Sequence, residues 1–127
     1  MTTTESGGRA ILLAEDEAML RIVAAETLKD DGFDVFEAGD GVSALEILRA
    51  HPEISLLISD IKMPRLGGYE LAEKALALHP GLKVLFMTGY STESPPPYIR
   101  ERSIRTLQKP FNVIELSHIA KTMLAVA

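Results

Sequence analysis

Residues 10–14 read Ala-Ile-Leu-Leu-Ala, five apolar side chains in a row. A strand with one wet face alternates apolar and polar residues. An unbroken apolar run of this length marks a strand covered on both faces. Similar runs return at Leu56-Leu57-Ile58 and at Val84–Met87. Between them the apolar spacing lengthens to three and four, the period of a helix face. Leu20, Val23, Ala24 and Leu28 form one such set, Val42, Leu45 and Leu48 a second, and Leu71, Ala75 and Leu78 a third. Leu116, Ile119, Ala120, Met123 and Leu124 form the last. Gly32 stands where a helix C′ glycine belongs, and Asp40 and Asn112 stand where N-caps belong. Pro52 and Pro80-Gly81 fall just past helix ends. Phe33–Ala38 and Ile104–Leu107 complete the strands. The alternation predicts an α/β fold, a parallel sheet in a three-layer sandwich with helices on both faces.

The 127 residues fit one domain. Residues 1–8 are polar, lack the apolar stretch of a signal peptide and are expected to be a disordered lead; 9–127 form the domain. No apolar run approaches the roughly 20 residues of a membrane span. With no cysteine, disulfides, thiolate nucleophiles and Cys-ligated zinc are excluded, and a cytoplasmic setting fits. Lys plus Arg number 13 against 18 Asp plus Glu, a net charge of −5 that argues against a nucleic-acid partner.

In an open parallel sheet, ligands bind beyond the carboxyl ends of the strands. Strand one runs into Glu15-Asp16, strand three into Asp60, strand four into Thr88, and strand five is followed by Lys109-Pro110. Clustered carboxylates repel one another, and a divalent cation reverses that penalty. Oxygen donors of this kind suit Mg²⁺ (or Mn²⁺), which favours one or two carboxylates plus phosphoryl oxygens. The set suits phosphoryl transfer. Asp60, the only strand-three carboxylate, is the candidate nucleophile. Glu15 and Asp16 are candidate metal ligands, Lys109 a fixed cation and Thr88 a hydroxyl donor.

Leu12–Glu17 (LLAEDE), Ser59–Pro64 (SDIKMP), Met87–Tyr90 (MTGY) and Gln108–Phe111 (QKPF) together resemble, in order and spacing, the signature blocks of bacterial response-regulator receiver domains. The resemblance spans about residues 9–126. It implies a flavodoxin-like sheet of order 2-1-3-4-5 and phosphorylation of Asp60 by a sensor histidine kinase or a histidine phosphotransfer protein. It further implies a metal ligand in the backbone carbonyl of Lys62, a cis peptide at Lys109-Pro110, and a module that signals through a downstream protein, in some relatives as a homodimer. It implies no enzyme beyond chemistry on its own Asp60.

Two departures stand out. Where many receivers carry a switch aromatic, this chain has Thr106, and Tyr90 is expected to take over part of that role. Pro95-Pro96-Pro97 falls where receivers form their fourth helix, predicting an extended segment and then a helix of about 98–102 at most. Lys62 and Tyr90, two residues past Asp60 and Thr88, are expected to shield an acyl phosphate from water and slow its hydrolysis. His51, His79 and His118 are read as structural or surface residues, and Arg100, Arg102 and Arg105 as a solvated basic patch. An aspartyl-nucleophile phosphatase or phosphotransferase is the alternative. Many of those carry a second Asp where this chain has Lys62. A flavin-binding flavodoxin is disfavoured, because the acids after strand one would repel its phosphate.

Overall fold

The computed structural model describes residues 9–89 and 104–125. The lead at 1–8, Tyr90, the Pro95–Pro97 run, the short helix expected at 98–102, and Arg100 and Arg102 lie outside them. In chain order the elements are β1 (Ala10–Ala14), α1 (Ala18–Asp30), β2 (Asp34–Ala38), α2 (Gly41–Ala50) and β3 (Leu56–Asp60). They continue with α3 (Gly68–Leu78), β4 (Lys83–Thr88), β5 (Arg105–Gln108) and α4 (Val113–Leu124). The five strands make one parallel sheet of order β2-β1-β3-β4-β5, as the resemblance implied.

Side chains of period two divide the core. Ala10, Leu12 and Ala14 of β1 join Leu57, Val84 and Phe86 beneath α2 and α3. Ile11 and Leu13 join Leu56, Ile58, Leu85, Met87 and Leu107 beneath α1 and α4. Both faces are therefore dry, which is why β1 and the middles of β3 (Leu56–Ile58) and β4 (Val84–Met87) are unbroken apolar runs, with polar residues only at the strand ends. Phe86 is fully buried and meets the Tyr69 ring edge-on, with centroids 5.0 Å apart.

The helix ends follow the sequence signals. The Asp40 carboxylate accepts the Ser43 N–H (2.8 Å), and the Asn112 side-chain oxygen accepts the Ile114 N–H (2.7 Å). Gly32 takes φ +97°, a left-handed value that a side chain would strain. The strand ends shift by single residues: β2 starts at Asp34, β4 gains Lys83 and Thr88, and β5 runs Arg105–Gln108.

Two apolar positions were assigned wrongly. Leu78, the last residue of α3, is exposed, while Ala75 and Leu76 before it are buried. Val23 was expected to point inward, yet it is exposed along with Met19 and Ile22, while Ala24, Ala25 and Leu28 are buried. The early turns of α1 are apolar on more than one side, so spacing alone cannot choose between faces. The far end of α1 is tied to α4, where the Ser117 hydroxyl donates to Asp31 and Lys121 lies 3.8 Å from the same carboxylate.

Phe86→Ala should lower the unfolding free energy by about 3–5 kcal/mol in urea titrations, the cost of a large buried cavity. Thr106→Ala, at an exposed position of β5, should change it by less than about 0.5 kcal/mol. Equal effects would contradict this assignment of the core.

Candidate functional site

The parallel register brings the strand ends together. Ala14 pairs with Ser59, and Asp60 pairs with Met87, so the residues that follow β1 and β4 flank Asp60. Period-two alternation sends the Asp60 side chain to the same face as Leu56 and Ile58. Thr88 ends β4 half-buried, and its carbonyl accepts the Lys109 N–H (2.6 Å).

Lys109 joins the two buried acids. Its Nζ lies 2.9 Å from Glu15 Oε1 and 2.9 Å from Asp60 Oδ2. The second oxygen of Glu15, Oε2, accepts the Glu17 N–H (2.9 Å). The second oxygen of Asp60, Oδ1, faces the Lys62 N–H at 3.4 Å. Glu15 is fully buried, Asp60 nearly so, and Asp16 is exposed. Carboxylate oxygens of Glu15, Asp16 and Asp60 lie within 4.8 Å of one another, the one such group among the described residues that could hold a metal. Hard oxygen donors at this spacing fit Mg²⁺ or Mn²⁺ and would not favour a soft metal.

Electrostatics follow from burial. Loss of solvation raises the Glu15 pKa above its ordinary value; the Glu17 N–H and Lys109 oppose this in part, and the Asp60 charge adds to it. Burial pulls Lys109 the other way, but its hydrogen bonds and ion pairs with Asp60 and Glu15 outweigh that and hold its pKa above the usual value.

The loop after β3 is fixed by close backbone approach. The Gly68 N–H donates to the Ile61 carbonyl (2.7 Å), and a Cβ at Gly68 would stand 2.2 Å from the Asp60 carbonyl oxygen. The Ser59 hydroxyl donates to that same carbonyl (2.8 Å). In the sequence, the clue to this close approach is the glycine doublet Gly67-Gly68, set just before a helix that starts beside a candidate nucleophile. Arg21 has no such signal. Arg21 Nη1 donates to the Glu15 carbonyl (2.9 Å), and no local pattern marks an arginine on a helix for that contact.

The remaining candidates are placed as follows. The Lys62 side chain and Thr106 are exposed, and Thr106 sits opposite Phe86 in the β4–β5 register. The Lys109-Pro110 peptide is cis. His51 and His79 are the C-caps of α2 and α3; the His51 ring packs at a tilt against Phe36 and His79 reaches the Leu48 carbonyl. His118 lies in α4.

In metal-free buffer, Lys109→Ala should destabilise the fold at pH 7 by about 3–5 kcal/mol, because it strands a buried carboxylate. The Glu15 pKa is raised in the folded chain, so acid protonates it there before it does in the unfolded chain, and a protonated Glu15 needs no cation. The deficit should therefore shrink in urea titrations at pH 5. A deficit that stays constant between pH 7 and pH 5 would contradict the role given to Lys109.

A family model described as response regulator receiver domain matches residues 11–121. The response regulator receiver protein CpdR of Brucella abortus is 37% identical over 120 residues, covering 94% of this chain and 99% of that protein. The sensor kinase CckA of the same organism is 33% identical over 127 residues, covering 96% of this chain but 13% of the kinase. The crystal structure of a receiver domain protein from Clostridium thermocellum superimposes with a TM-score of 0.82 at 24% identity, covering 91% of this chain and 94% of that one. No helix among the described residues is long and apolar enough to cross a membrane. With the family model spanning most of the chain and the sheet order and acidic edge in agreement with it, this protein belongs to the response regulator receiver domain family.

Proposed function

We propose that this protein is a phosphorylation-switched signalling module whose phosphoacceptor is Asp60. The observation that carries the reading is the Asp60 carboxylate, nearly buried at the end of β3, with Lys109 Nζ 2.9 Å from Oδ2 and two further acids beside it. A carboxylate oxygen of Asp60 attacks the phosphorus of a phosphohistidine on a sensor histidine kinase or a phosphotransfer protein. The P–N bond breaks, and its electron pair stays on the imidazole nitrogen. Asp60 is left as an acyl phosphate.

Glu15, Asp16, Asp60 and the Lys62 backbone carbonyl would hold Mg²⁺ or Mn²⁺. Bound there, the ion supplies positive charge against the phosphoryl oxygens. Lys109 neutralises phosphoryl charge as a point cation, and the Thr88 hydroxyl donates a hydrogen bond to it. The exposed Lys62 side chain, two residues past Asp60, shields the acyl phosphate from water. Once Asp60 is an acyl phosphate, its carboxyl group no longer carries the negative charge that holds Lys109. The ion pair is redirected to the phosphoryl group, and the surface around β4 and β5 shifts between two states.

The donor would approach the exposed apolar side of α1, where Met19, Ile22 and Val23 lie just beyond Asp16. The match to nearly the full length of CpdR supports a single-domain response regulator that acts on a downstream protein or passes phosphate onward. Its chemistry is directed at itself, so it is a switch and not an enzyme.

Beryllofluoride with Mg²⁺ mimics an aspartyl phosphate. Added to wild type, it should shift the amide NMR signals of Asp60, Thr88 and Lys109, and Asp60→Asn should abolish those shifts. An unresponsive wild type, or equal shifts in Asp60→Asn, would overturn the proposal.

A further inference from the structure

Arg21 makes two contacts that neither the family signature blocks nor the chemistry above requires. It lies on α1, and its Nη1 donates to the main-chain oxygen of Glu15 at 2.9 Å. Its Nε faces Glu37 Oε1 on the edge strand β2 at 3.5 Å. Glu37 is held a second time, by Lys29 Nζ at 3.7 Å from its other oxygen. Room for the guanidinium comes from Gly39, where a Cβ would lie 3.2 Å from Nη1. The Glu15 N–H donates to the Ala38 carbonyl (3.0 Å), so both main-chain polar groups of Glu15 are engaged, one by β2 and one by Arg21.

The loop needs such a brace. Glu15, Asp16 and Glu17 place three carboxylates in succession, and Glu17, the N-cap of α1, makes no side-chain capping bond. Repulsion among the three favours splaying of the loop, and helix capping does not oppose it. A guanidinium suits the task because its planar fork reaches two acceptors at once, whereas an ammonium is a single point of charge. Arg21 is also mostly buried, with 23% of its side chain exposed, so the contact is screened less than a surface pair.

We infer that Arg21, braced by Glu37, is a positioning residue that fixes the Glu15–Asp16 main chain and so sets the affinity of the acidic cluster for its divalent ion. Arg21 touches neither the ion nor the phosphoryl group; it acts through the backbone of the residues that do. The inference rests on the metal site proposed above. It adds that this site is tuned from the β2 edge of the sheet, across α1.

The test is a titration of the purified chain with Mn²⁺ alone, read by electron paramagnetic resonance, together with the Mg²⁺ dependence of phosphorylation by acetyl phosphate. Arg21→Ala should weaken Mn²⁺ binding about 10-fold, the low end of what partners of metal ligands contribute. Arg21→Lys and Glu37→Gln should each weaken it about threefold, since each keeps part of the brace. In Arg21→Ala the half-saturating Mg²⁺ should rise by the same factor, with the rate at saturating Mg²⁺ within about twofold of wild type. A merely structural role would lower the melting temperature of the metal-free variants and leave Mn²⁺ affinity unchanged, which would overturn the inference. Glu37→Gln alters a solvent-accessible side chain and keeps the test decisive if Arg21→Ala fails to fold. Wild-type chain that binds no Mn²⁺ would overturn the metal site and this inference together. Tight wild-type binding matched by all three variants would overturn the inference alone.

Discussion

One ammonium group holds the working edge of this molecule together. The sheet ends in acids because its topology delivers them there, and two of those acids are buried. Buried carboxylates without a partner are costly, and two side by side cost more. Lys109, reaching Glu15 and Asp60 at 2.9 Å each, is the counter-charge that lets both persist. Breaking such an arrangement costs far more than forming it gains, so the Lys109 position constrains everything near it. Backbone contacts hold the two partners in place: the loop after β5 is tied to the end of β4 through the Thr88 carbonyl, and the start of α3 is pressed against the Asp60 carbonyl with no room for a Cβ at Gly68.

The same arrangement is poised to change. A phosphoryl group arriving on Asp60 would bring more negative charge to the edge while removing the carboxylate charge that Lys109 answers. A divalent ion is the natural compensation, because Asp16 is exposed beside the buried pair and the three carboxylates lie within 4.8 Å. A compact rearrangement of charge is thus built into a rigid scaffold whose core is divided between two dry faces. The scaffold supplies position, and the edge supplies the switch.

Much of this was readable beforehand. Unbroken apolar runs at 10–14, 56–58 and 84–87 fixed the buried strands, because only a sheet covered on both faces removes the need for polar alternates. Asp40, Asn112 and Gly32 marked helix ends through local chemistry that needs no tertiary context. The convergence of Glu15, Asp16, Asp60 and Lys109 followed once the strands were known to be parallel. The strand order itself came from the resemblance and not from periodicity. What was not legible depended on packing. The inward face of α1 was ambiguous at Val23 because apolar residues surround its first turns. Arg21 was invisible because one partner is a main-chain oxygen, which leaves no trace in side-chain patterns, and the other, Glu37, is 16 residues away on β2. The need for glycine at position 68 depends on the Asp60 carbonyl packed against it, a contact that exists only in the folded chain.

The central claim is that Asp60 is where the phosphoryl group lands. Mass spectrometry of the chain after incubation with acetyl phosphate and Mg²⁺, with the modified residue located by borohydride reduction of the acyl phosphate and peptide sequencing, addresses it directly. The account predicts modification at Asp60 alone, dependent on the divalent ion. Modification at Asp16 or Glu15 in the wild-type chain, or none at all, would contradict it.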